Sequence, residues 1–234
     1  MKEAHFCLLQ VRPSVADIEA SAPSGGIPAN GATLLAHLRR TPAVLMVGTI
    51  EPRKGYDQAL AAFEQLWKQP GPGPALVLVG RVGWKTEALQ KKLLHHAEAG
   101  KRLFWPENVS DEFLAQLYDT CSGVLVASRA EGFGLPLIEA ALYNKPVLAR
   151  DLPIFREVGV SGITFFSGEN GESLASAISA WLEKERDNDA RMNHSVATWQ
   201  TAAKQLLSAL GLSGEPCTKL DMVSATALAQ RAAA

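Results

Sequence analysis

From residue 42 onward two kinds of hydrophobic pattern alternate along the chain. Unbroken apolar runs at 43–47, 76–79 and 123–127 have no polar residue in alternate positions, as expected of strands buried on both faces. Shorter apolar stretches at 102–105, 146–149 and 162–166 read as further strands. Between them, apolar residues recur at helical spacing. Tyr56, Leu60, Phe63, Leu66 and Trp67 define one helix, which the turn Pro70-Gly71-Pro72-Gly73-Pro74 stops. Further helices are predicted over 86–98, 110–120, 135–143 and 173–185. Asp111 and Glu112 fall in the first turn of the second of these, and Pro136 lies near the start of the third. Strands alternating with helices imply βαβ units: an α/β domain with a Rossmann-like parallel sheet and helices on both faces. Ligands in such folds bind outside the carboxyl ends of the strands, which directs attention to the residues just after 47, 79, 105 and 127.

The flanks differ. Residues 20–34 are rich in Ser, Pro, Gly and Ala and read as a loop. Residues 1–41 are therefore expected to form a junction or linker, residues 42–210 the α/β domain, and residues 211–234 a tail. In the 234-residue chain 23 basic residues face 24 acidic ones, for a net charge of −1. The basic excess of a dedicated nucleic-acid binder is missing, so no nucleic-acid partner is expected. Apolar runs such as 75–79 are far too short to span a bilayer, and the first residues carry no signal-peptide core, so a cytoplasmic, soluble chain is expected. Cys7, Cys121 and Cys217 are widely spaced and read as buried, reduced thiols rather than metal ligands.

Two strand-to-helix loops carry candidate chemistry. The first, Gly48-Thr49-Ile50-Glu51-Pro52-Arg53-Lys54-Gly55, sets a glycine and two adjacent cations at a carboxyl edge, a composition suited to an anion and above all a phosphate. The second runs from Ser128 to Glu139 as SRAEGFGLPLIE. Gly132 and Gly134 permit close backbone approach, and the amides opening the next helix attract a diphosphate. Glu131 and Glu139 bracket that anion site. A carboxylate beside a phosphate calls for a different partner, and the hydroxyls of a sugar or ribose are suited to it.

Glu131 and Glu139, separated by seven residues, resemble the EX7E signature of retaining glycosyltransferases with the GT-B fold. The segment VGTIEPRKG at 47–55 is similar to the phosphate-binding loop of the same group, family 4 (group 1). LVLVG at 76–80, SDEFLAQLY at 110–118, KPVLARDLPIFREV at 145–158 and the helix expected near 199–210 add to a resemblance covering roughly residues 42–210. It implies the carboxyl-terminal, donor-binding half of a GT-B fold. On that resemblance Lys54 and Arg53 hold the donor diphosphate, and Gly48 lets the loop pack beneath it. Backbone around Gly132, Phe133, Gly134 and Leu135 meets phosphate and sugar, and Glu139 takes the ribose hydroxyls. Glu131 contacts the transferred sugar as the catalytic-site carboxylate, and the segment from Trp105 to Val109 borders the nucleobase. The implied partners are a GDP- or UDP-sugar, the amino-terminal GT-B domain and a glycan or lipid-linked acceptor, with no cofactor or metal and a location peripheral to the inner membrane. The chain departs from the family pattern at Thr49, where many members have Arg.

A non-catalytic nucleotide-binding or interaction module is the alternative reading. A Rossmann oxidoreductase is disfavoured, because no G-x-G-x-x-G follows the first strand. Asp187-Asn188-Asp189 matches a metal-binding DXD pattern but lies in a charged stretch, and is expected to be solvated surface. The pair His95-His96 is expected on a solvent-facing helix. Trp67, Trp84, Trp105, Trp181 and Trp199 are expected mainly to pack, and Arg150, Asp151 and Arg156 to form a structural ion pair.

Overall fold

The computed structural model describes residues 25–158 and 162–187. Six strands, β1 (Ala43–Val47), β2 (Ala75–Val79), β3 (Leu103–Phe104), β4 (Gly123–Val126), β5 (Val147–Arg150) and β6 (Ile163–Phe166), form one sheet in the order β3-β2-β1-β4-β5-β6. Every neighbouring pair is parallel. The helices are α1 (Gly31–Leu38), α2 (Tyr56–Leu66), α3 (Glu87–Leu94), α4 (Asp111–Thr120), α5 (Leu135–Leu142), α6 (Pro153–Glu157) and α7 (Gly171–Asp187).

The unbroken apolar runs are explained by two cores. Alternate strand residues point to opposite faces, so Val44, Met46, Leu76, Leu78, Leu125 and Leu148 bury themselves against α2, α3 and α7. Their neighbours Ala43, Leu45, Val77, Val124, Val126 and Val147 pack on the other face against α1, α4, α5 and α6. Neither face is left for polar residues, as the sequence pattern requires.

Five features depart from expectation. Helix α1 begins inside the stretch read as a loop: Leu35 and Leu38 are buried in the second core, and α1 packs on α4. The Ser/Pro/Gly composition of the preceding residues masked a short apolar stripe. The helix expected over 86–98 stops at Leu94, because the chain then turns tightly. Glu98 O accepts from the amides of Lys101, Arg102 and Leu103, and Gly100 is left-handed with φ 73°. That turn carries His96 away from solvent: its ring packs on Trp67 at 5.5 Å between centroids, and Nε2 lies 3.2 Å from Glu64. Trp84 is 56% exposed rather than packed, whereas Trp67 and Trp181 are buried. Helix α6 is not among the predicted elements: at five residues, opened by Pro153, it is too short to show a periodic pattern.

Cys121 is buried, and burial pushes its thiol up to about 12, as expected of an inert structural cysteine. Asp151 and Arg156 form the expected ion pair at 2.7 Å. Cys7, Cys217, Trp199, the 199–210 helix, the tail and all of the DXD segment after Asp187 lie outside the described residues. Among the described residues no helix is long and apolar enough to cross a membrane.

Candidate donor-binding site

The strand order reverses between β1 and β4, which lie side by side although the chain reaches β4 only after building β2 and β3. Their following loops diverge to opposite faces and leave a crevice at the carboxyl edge, the usual ligand position in a doubly wound sheet. The first loop leaves β1 at Gly48, makes a short 3-10 turn over Pro52–Lys54 and enters α2. Gly55 joins the two helices in the left-handed region, φ 73°, and a Cβ there would stand 2.3 Å from Ala127 O at the end of β4. Only glycine meets both demands. The second loop is tied to the first by the main chain: Arg129 N donates to Arg53 O at 2.7 Å. The Arg129 guanidinium adds a bond to Pro52 O and a two-pronged pairing with Asp57 at 2.9 and 3.0 Å.

The two loops bring Arg53, Lys54 and Glu131 together. Lys54 Nζ lies 2.6 Å from Glu131 Oε2, Arg53 lies 3.3 Å from Oε1, and Ser128 donates to Oε2 at 3.1 Å. Burial raises the Glu131 pKa, but hydrogen bonding and charge from Lys54, with help from Ser128 and Arg53, more than offset it and leave the carboxyl below its ordinary value. Gly48 sits under this cluster with φ 137°, and a Cβ on it would lie 3.5 Å from Lys54 Nζ. Arg53 is further held by Glu51, whose buried carboxylate pairs with it at 2.6 Å and accepts from Trp84 Nε1 at 3.0 Å. Thr49 is exposed, and the two cations gathered on Glu131 are Lys54 and Arg53.

Directly after Glu131 come Gly132, Phe133, Gly134 and Leu135. Gly134 caps α5 with φ 94°, and a Cβ on it would meet Phe155 at 2.8 Å. Gly132 is different: a Cβ there would meet nothing within 4 Å, so this part of the chain does not itself require a glycine. In the first turn of α5, Pro136 has no N–H and Leu137 N donates to Gly134 O at 3.0 Å, which leaves the amide of Leu135 as the opening donor of the helix.

Glu139 is not part of the cation cluster. One turn into α5, it accepts a 2.6 Å hydrogen bond from the hydroxyl of Tyr118. Burial raises the Glu139 pKa, the Tyr118 bond partly counters this, and nearby Asp111 adds to the rise. Val109 stands elsewhere on the edge, lining a cleft of about 440 Å³ with Gly80, Val82, Trp105 and Pro106. Trp105 Nε1 donates to Gly80 O at 3.2 Å, which fixes the indole at the cleft wall.

Sequence reading missed Glu51, Tyr56 and Tyr118. Tyr56 donates to Gly48 O and so braces the first loop from inside. Glu51 and Tyr56 stand within the quoted loop and its helix, but nothing in their spacing marks them. Tyr118 reads as one more apolar position of α4. Only the tertiary fold shows that its hydroxyl reaches α5.

The glycosyl transferases group 1 profile matches residues 36–199. The chain belongs to that family. A serotype-specific mannosyltransferase WbdA of Escherichia coli is 45% identical over 197 residues, which cover 83% of this chain and 24% of that protein. The chain thus spans about a quarter of the length of that relative. Among solved structures, Anabaena HepE in complex with UDP and glucose superposes with a TM-score of 0.64 at 21% identity, covering 84% of this chain and 55% of the other. The carboxyl-terminal domain of the group 1 protein LpcC from Francisella tularensis, covered over its whole length, gives a TM-score of 0.55 at 18% identity. Both likenesses place the group 1 chain in the GT-B Rossmann-like fold.

Proposed function

We propose that this domain binds a nucleotide diphospho-sugar, GDP-mannose in particular, and supplies the donor half of a retaining sugar transfer to a glycan or lipid-linked acceptor. The observation that carries the reading is the convergence of Lys54 and Arg53 on Glu131 at the β1/β4 crevice, four residues before α5 begins, where a diphosphate finds two cations and the backbone that leads into the helix. The mannosyl donor is favoured by the relatives named as mannosyltransferases. An amino-terminal GT-B domain would bring the acceptor across the cleft, at the cytoplasmic side of the inner membrane.

In this reading the nucleobase enters the cleft beside Trp105 and Val109, and Glu139 takes the ribose hydroxyls. The diphosphate lies between Lys54, Arg53 and the backbone of Phe133–Leu135. As the bond to the anomeric carbon breaks, charge develops on the departing diphosphate. Lys54, Arg53 and the amide of Leu135 stabilise that charge from fixed positions, with no metal or other cofactor called upon. Glu131, held beside the cations, lies close to the sugar and stabilises positive charge at its anomeric centre during a front-face substitution.

Calorimetric titration with GDP, UDP and ADP tests the reading. Preferential binding of GDP, weakened by Lys54→Ala and by Glu139→Ala, is expected. Failure of all three nucleotides to bind the folded chain would overturn the donor-site reading and favour a non-catalytic interaction module.

A further inference from the structure

The Glu139 carboxylate stands on α5, and its neighbour comes from a different element. Tyr118, on the inward face of α4, is fully buried, and its hydroxyl donates to Glu139 Oε2 at 2.6 Å. The ring itself is held. It lies parallel to the ring of Tyr143, with 5.2 Å between centroids and 4° between planes. Tyr143 closes α5 one turn beyond Glu139, and its amide bonds back to Glu139 O at 3.3 Å. The stack therefore fixes the tyrosine hydroxyl relative to the same helix that carries the carboxylate.

A glutamate has three rotatable side-chain bonds, and a buried one tends to take up a proton. A hydroxyl donor of fixed position acts on both tendencies. It selects one rotamer, and it favours the charged carboxylate, which can accept at several lone-pair sites.

We infer that Tyr118 is a positioning residue: it pins Oε2 of Glu139 so that Oε1 is presented to the 2′- and 3′-hydroxyls of the nucleotide ribose. This rests on the donor-site reading and assigns Tyr118 a role within it. The groups acting on Glu139 are Tyr118 and Asp111 from α4, while Tyr143, which follows α5 directly, and Tyr56 act on Tyr118. Tyr118 remains protonated throughout, since burial followed by the charge of Glu139 raises its pKa well above the ordinary tyrosine value. Glu139 is thus the group whose titration the hydroxyl governs.

The test is titration of wild type and Tyr118→Phe with GDP and with 2′,3′-dideoxy-GDP. Tyr118→Phe keeps the stack on Tyr143 and removes only the hydroxyl. GDP binding is expected to weaken about tenfold, the scale of a lost hydrogen bond to a charged group. Dideoxy-GDP is expected to bind wild type and variant alike. The acid limb of GDP binding should move to higher pH in the variant, because the bond that favours the carboxylate is gone. Equal weakening of both nucleotides would show a merely structural tyrosine and overturn the inference, as would unchanged GDP binding. Failure of wild type to bind GDP would instead overturn the donor-site reading beneath it. Should Tyr118→Phe not fold, fluorotyrosine labelling of the chain's three tyrosines gives a second measurement. The Tyr118 fluorine resonance should shift with GDP and stay in place with dideoxy-GDP; a shift with both, or with neither, would sink the assignment.

Discussion

Lys54 Nζ and Glu131 Oε2 lie 2.6 Å apart across 77 residues of chain, joining the loop after β1 to the loop after β4. With Arg53 beside them, the cations that would receive a diphosphate already hold a carboxylate, so an incoming phosphate oxygen must compete with Glu131. Glu131→Gln removes the competing charge and is expected to tighten GDP binding by about tenfold. Lys54→Ala should weaken it by at least that factor. The same Glu131→Gln substitution should lower sugar transfer in the full enzyme. Isothermal titration and a transfer assay check the opposite signs. Weaker GDP binding by Glu131→Gln would mean that the carboxylate does not oppose the phosphate.

The pH dependence of stability follows from the same pair. The Glu131 pKa is lowered in the folded chain, so its contribution is fully present above the ordinary glutamate value. That contribution is lost as pH falls through the lowered folded value. Urea unfolding should show wild type more stable than Glu131→Gln near neutrality, with the gap closing as the medium becomes acidic. A gap independent of pH would argue against the ion pair.

Gly55 gives a backbone prediction. Alanine there combines φ 73° with a methyl group 2.3 Å from Ala127 O. Strain at a left-handed position and the displacement of β4's end should together cost about 2 kcal/mol or more. Chemical denaturation measures the loss. A cost below about 0.5 kcal/mol, the range of an ordinary surface substitution, would show that the two loops separate freely.

At the cleft, Trp105→Ala removes the indole anchored to Gly80 O. If the donor lies as proposed, GDP affinity should fall while pyrophosphate affinity stays unchanged, because the wall Trp105 forms would then border the base and not the phosphates. Equal losses for both ligands, measured by competition titration, would place the base elsewhere.

The strands were legible because burial on both faces leaves an unbroken apolar signature, as in Ala43–Val47 and Ala75–Val79. The cluster of Arg53, Lys54 and Glu131 was legible as a juxtaposition too, since all three follow strands directly in sequence. What sequence could not show is pairing at long range. Nothing near Glu139 marks Tyr118, whose hydroxyl reaches it across two helices, and nothing near Arg53 distinguishes Glu51 from a solvated loop charge. Helix α1 escaped for another reason: eight residues with two buried leucines give too little periodicity to stand out from a Gly- and Pro-rich approach.

At the carboxyl edge, Gly48 and Gly80 lie so close that a Cβ on Gly80 would fall 1.9 Å from Gly48 O. Gly83 is similarly pressed against Ile50 O, at 2.6 Å. Beside the cleft lined by Trp105 and Val109, the chain after β1 and the chain after β2 thus pack main chain on main chain, with no room for a side chain at Gly80 or Gly83. Substitutions that retune which ligand is accepted therefore have little purchase from below. They must act from the rim, at positions such as Val82, Glu107, Asn108 and Val109, where a new side chain changes the shape of the opening without prising the strands' ends apart.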